Sequence, residues 1–107
     1  MARGKTMTLE ASPEHLLELS RALHFYAEAA WPPGGSDCAQ ASREALTSTA
    51  DAIAQAQQIT PGRAEFSRRQ KATFRAALEY ASEQTELEAK REIYQTLLLK
   101  LSPSTSR

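Results

Sequence analysis

Residues 63–101, RAEFSRRQKATFRAALEYASEQTELEAKREIYQTLLLKL, decide how this chain is read. The stretch holds neither Gly nor Pro, and its charge changes sign partway along. Arg63, Arg68, Arg69, Lys71 and Arg75 come first. Glu79, Glu83, Glu86, Glu88 and Glu92 follow, and Leu97, Leu98, Leu99 and Leu101 close it. Phe66, Thr73, Tyr80, Leu87, Tyr94 and Leu101 recur every seven residues, which would line them along one seam of a long, slightly supercoiled helix. The companion positions four residues on, Gln70, Ala77, Gln84, Arg91 and Leu98, are too polar in the middle for a true coiled coil.

At about 100° per residue the apolar side chains fall into two stripes. Phe66, Phe74, Ala77, Leu78 and Ala81 point one way. Leu87, Tyr94, Leu97, Leu98 and Leu101 point roughly 150° away. A straight rod cannot bury both stripes against one neighbour. Either the segment breaks near residues 82–86, where Thr85-x-x-Glu88 would supply a capping box, or one long or kinked helix overhangs and a second chain covers its leucine end. The good helix formers Glu and Gln favour continuity. Matched helix lengths favour the break, which is the expectation taken forward.

Working outward, Ser12-Pro13-Glu14 is a helix start: a capping hydroxyl, a proline suited to the first turn and a carboxylate at the positive end of the dipole. Leu16, Leu19, Leu23, Tyr26 and Ala30 then form one stripe, widened by Leu17 and Phe25. Pro32-Pro33-Gly34-Gly35 must stop that helix at Trp31, a plug for one end of the core. Ser36 or Asp37 caps a second helix to about Gln58, whose inner face is mostly alanine with Leu46 and Ile53. The short link between the two predicts an antiparallel hairpin. Thr60-Pro61-Gly62 marks the next break.

The expected fold is therefore all-α: a small antiparallel bundle of three to four helices at about 13–31, 37–58, 63–82 and 86–101. Val is absent, and no segment is read as alternating with a period of two. Residues 1–11 are expected to be a flexible leader, with Met7 as an alternative start, residues 12–101 a single domain, and residues 102–107 a flexible tail.

Thirteen Lys and Arg balance thirteen Asp and Glu among 107 residues, so bulk charge selects no partner. One cysteine forms no intramolecular disulfide and suits a reducing compartment. Neither a secretory signal nor a membrane-spanning run is read from the sequence, and a cytoplasmic location is expected. Cys38 lies in the first turn of the second helix beside a carboxylate, with no partner motif for catalysis. His15 and His24 share no metal-binding turn, and the pair His24 and Glu28 lacks the further carboxylates of a di-metal bundle site. No catalytic residue, cofactor or metal is expected, and the protein is read as not an enzyme.

Two features carry the functional reading. Arg68, Lys71 and Arg75 share a face directed away from Phe66 and Phe74, at the helix end where cations oppose the dipole. That is either a docking patch or a solvated face balanced by acidic neighbours. Leu97, Leu98, Leu99 and Leu101 span too wide an arc for one buried face, which marks either an interface or a terminal helix buried on most sides. The expectation is a small interaction protein (adaptor, chaperone-like factor or inhibitor) that binds a protein partner, with a homodimer as one form. Its contact residues would be Arg68, Lys71, Arg75, Tyr94, Leu98, Leu99 and Leu101. The alternative is a nucleic-acid-binding regulator using the basic cluster from Arg63 to Arg75. No base-stacking aromatics are interleaved with those cations, which lowers it.

Overall fold

The structure, a computed structural model, describes residues 6–101. In chain order it runs β1 (Thr6–Glu10), α1 (Pro13–Ala30), α2 (Asp37–Ala56), β2 (Arg63–Ser67), a 3-10 turn (Arg68–Gln70), α3 (Lys71–Gln84) and α4 (Glu88–Leu101). The four helices form the small, mostly helical bundle expected from the sequence, with a two-stranded sheet added to it. The expected tail, 102–107, and the first five residues of the expected leader lie outside the described residues.

The first two helices begin where the sequence supplies a cap. Ser12 Oγ accepts the His15 N–H at 3.2 Å, and Ser36 Oγ, not Asp37, accepts the Ala39 N–H at 3.1 Å. Each bond satisfies a donor that the helix cannot pair internally. α1 and α2 are antiparallel, because Ser20 and His24 on α1 meet the late positions 50 and 51 of α2, while Glu28, further along α1, meets the earlier Arg43. The Ser20 hydroxyl donates to the Ala50 carbonyl at 2.8 Å, His24 meets Asp51 at 2.9 Å, and Arg43 pairs with Glu28. All four helices supply the core. Leu16, Leu19 and Leu23 meet Leu46 and Ile53, Phe74 and Leu78, and Leu97 and Leu101, all nearly or wholly buried. Each such side chain contributes about 1.5–3 kcal/mol by leaving water.

Two expectations are corrected at the sheet. The sequence predicts loose chain over residues 6–11 and the start of the third helix over residues 63–67. Instead β1 and β2 pair antiparallel, Met7 with Phe66 and Leu9 with Ala64. Thr-Met-Thr-Leu-Glu and Arg-Ala-Glu-Phe-Ser each alternate, turning Leu9, Ala64 and Phe66 inward and leaving Thr6, Thr8, Arg63 and Glu65 in water. That period of two outweighs the helix propensity of Arg, Ala and Glu once a second alternating segment lies alongside.

The turn that brings β2 into place is built on two residues. Gly62 has φ +86°, and a Cβ there would stand 3.3 Å from the Ala11 carbonyl. Gln57, buried at the end of α2, donates to the Ile53 and Arg63 carbonyls at 2.9 and 3.1 Å and accepts the Gly62 N–H at 2.8 Å. Ser67 then caps the 3-10 turn by accepting the Arg69 N–H at 3.2 Å. The third helix therefore begins at Lys71, not Arg63.

The long segment does break, between Gln84 and Glu88, and the two stripes meet one core from two directions. The capping box does not form. Thr85 Oγ accepts the Leu87 N–H at 3.2 Å, and Leu87 supplies the first helical acceptor, to Arg91 N. Glu88 pairs instead with Arg91 at 2.6 Å. Arg91 also donates to the carbonyls of Ser82 and Thr85 at 3.3 and 2.6 Å, neutralising the negative end of α3 with a cation from α4.

Candidate functional site

The ten Lys and Arg side chains among the described residues divide sharply. Arg21, Arg43, Arg63, Lys90 and Arg91 each have a carboxylate partner. Arg68, Arg69, Lys71, Arg75 and Lys100 have none. Four of the five unpaired cations thus lie together on the 3-10 turn and the start of α3. Arg68 reaches only the Thr6 carbonyl, at 3.5 Å. Arg75 is half-buried, and its Nε is buried without a hydrogen-bond partner. The acidic neighbours that would balance this face do not reach it, so its charge is uncompensated.

The expected leucine surface is mostly interior, and this is a correction. Tyr94 and Leu101 were named as partner contacts, yet they are buried in the core, at 6% and 1% exposure, beside Leu97. Leu98 is half-buried against the same core. The wide arc fits because α4 closes against α1 and α3 together. Leu99 alone of the leucines in α4 stands in water, at 76% exposure.

Tyr94 has a polar role that the spacing did not reveal. Its hydroxyl lies beside the buried Glu18 carboxylate, which also takes Arg21 at 2.6 Å and Lys90 at 3.4 Å. Burial raises the Tyr94 pKa above the usual tyrosine value. The Glu18 charge and the hydrogen bond to Glu18 act the same way, and Arg21 opposes them. Glu18 therefore ties α1 to α4 through two side chains, a satisfied buried carboxylate.

An aromatic row was also missed. Phe25 lies 5.3 Å from Tyr80, Tyr80 lies 5.9 Å from Tyr26, and Tyr26 meets the edge of Trp31 at 5.9 Å. Tyr26 and Trp31 are partly buried and pack against the core. Phe25 remains 48% exposed. With Leu87 it borders a groove of about 290 Å³ at the joint of α3 and α4. Phe25 and Tyr26 follow each other in sequence and read as widening one stripe. Only the position of Tyr80 on α3 makes them a surface row.

The remaining chemistry-bearing residues do not converge. His24 pairs with Asp51 on the outer side of α1 and α2. Cys38 is exposed and free. No group of three His, Cys, Asp or Glu side chains is placed to hold a metal ion among the described residues. No helix among them is long and apolar enough to cross a membrane. Comparison with known protein families, with curated proteins and with solved structures finds no match to the chain.

Proposed function

We propose that this chain is a small non-enzymatic interaction protein of the cytoplasm, an adaptor, chaperone-like factor or inhibitor that acts by occupying a protein partner's surface. The contact face is the outside of the 3-10 turn and α3, with Arg68, Lys71 and Arg75 as its cations. The observation that carries this is the sorting of charge. Five cations elsewhere are neutralised within the fold, while the four around the start of α3 are left for something outside it. Such groups orient a partner and speed its encounter more than they add affinity. The carboxylates of Glu79 and Glu83 further along α3 are exposed, which favours a protein surface of mixed charge over a phosphate backbone.

The test is affinity capture from nuclease-treated extract of the native host. Wild-type chain is compared with the triple variant Arg68→Glu, Lys71→Glu, Arg75→Glu. Recovery of a protein by the wild type and its loss with the variant are the expected result. Equal recovery by both, or none by either, overturns the reading. Salt-sensitive retention of DNA or RNA that the same variant abolishes would put the nucleic-acid alternative in its place.

A further inference from the structure

The charged positions of α3 lie on a single line. Lys71, Arg75, Glu79 and Glu83 are each four residues apart, so they form one ridge of the helix surface, about 18 Å long. Its first half is basic and its second acidic. Among the described residues none of the four makes an ion pair. Arg75 and Glu79 stand on adjacent turns and still leave each other alone, and a cation placed before its carboxylate is the weaker order for such a pair. The next ridge runs Ala72, exposed, Ala76 and Tyr80, both half-buried, and Gln84, exposed, so only its first half leaves a second helix free of bulky side chains.

This pattern is its own complement. Let a second copy be turned end for end about a two-fold axis at the level of Ala77. Lys71 of each copy then meets Glu83 of the other, and Arg75 meets Glu79. Both helices would present ridges of residues four apart, which pack with axes crossing at about −50°, the commonest helix–helix geometry.

We infer that the partner of this face is a second copy of the same chain, joined α3 to α3 as an isologous dimer. The inference rests on the interaction reading above and deepens it by naming the occupant. A contact made mainly by one helix from each copy falls below about 1,200 Å², the size of weak and transient interfaces. The dimer is therefore reversible, concentration-dependent and sensitive to salt.

Sedimentation equilibrium of the full chain, over a concentration series at low and high salt, tests this. A monomer–dimer equilibrium is expected, weakened by salt. Lys71→Glu with Arg75→Glu places like charges opposite each other and weakens self-association by at least about tenfold. Glu79→Lys with Glu83→Lys does the same. An equimolar mixture of the two double variants restores dimers, because each reversed half then faces its opposite. Circular dichroism verifies that both remain folded, as surface changes should. A strict monomer throughout, indifference to the reversals, or a mixture no better than either variant alone overturns the dimer. The capture experiment separates the two readings. A monomer that still captures a host protein through these cations removes the dimer alone, and failure of both experiments removes the underlying reading as well.

Discussion

Replacing Arg91 with alanine tests the joint that allows residues 63–101 to bury two stripes against one core. Its guanidinium makes a short bond to the Thr85 carbonyl at 2.6 Å and a longer one to Ser82 at 3.3 Å. The third bond goes to Glu88, whose side chain is 74% exposed. A hydrogen bond to a charged group contributes about 1.5–3 kcal/mol when water is excluded. Arg91 is about one-third exposed, so the two carbonyl bonds together are set near the low end, about 1.5 kcal/mol. Loss of a cation at the C-terminus of α3 adds about 0.5 kcal/mol, and the exposed pair with Glu88 adds almost nothing. The sum is about 2 kcal/mol, which for a chain of this length lowers Tm by about 9 °C. Thermal melts followed by circular dichroism read it directly, with Glu88→Ala as the control, expected to shift by less than about 2 °C. An Arg91→Ala melt within about 2 °C of the wild type would refute the role given to this side chain.

Other outcomes follow from the same geometry. Gly62→Ala forces a positive φ on a residue with a Cβ and sets that Cβ against the Ala11 carbonyl, so urea melts should show a loss of about 1–2 kcal/mol; an unchanged midpoint contradicts the turn. Leu101→Glu buries an unpaired carboxylate in the core and should abolish cooperative unfolding, while Leu99→Glu, on an exposed position, should leave the melt unchanged. The reverse ranking would restore the leucine surface expected from spacing. Tyr94 tests pH dependence. Its pKa is raised above 10.0 in the fold, so above that pH the unfolded chain releases a proton that the folded chain keeps. Stability then falls as pH rises through this window, and Tyr94 contributes no slope below it. Tyr94→Phe should lose less stability than wild type between about pH 9 and about pH 11, and an identical alkaline limb would contradict the assignment.

The helices were legible because their ends are written locally. Ser12-Pro13, Ser36 and Pro32 through Gly35 set boundaries that need no knowledge of the rest of the fold. The break between Gln84 and Glu88 was legible for a different reason, since two apolar stripes could not share one straight rod. The strands escaped because each is five residues long, and a short alternation among Ala, Glu and Arg competes poorly with helix propensity until its partner is known. Their pairing joins Thr6–Glu10 to Arg63–Ser67 across the whole α1–α2 hairpin, information that no local window holds. On the surface, Arg68, Lys71 and Arg75 could be chosen from charge order alone. Whether carboxylates reach them depends on where α4 and the sheet lie. The leucines of α4 misled in the opposite sense: a wide arc signals either an interface or deep burial, and the packing of α4 against both α1 and α3 decides for burial.

The claim that matters most is that contact is made by the ridge on α3 rather than by the groove at Phe25 and Leu87 or by Leu99. Backbone amide NMR over a concentration series distinguishes the three surfaces in one experiment. The account predicts concentration-dependent shifts concentrated on residues 68–83, reversed by salt, with Phe25, Leu87 and Leu99 unmoved. Shifts centred on those three residues with α3 silent, or no shifts at any concentration, would contradict it.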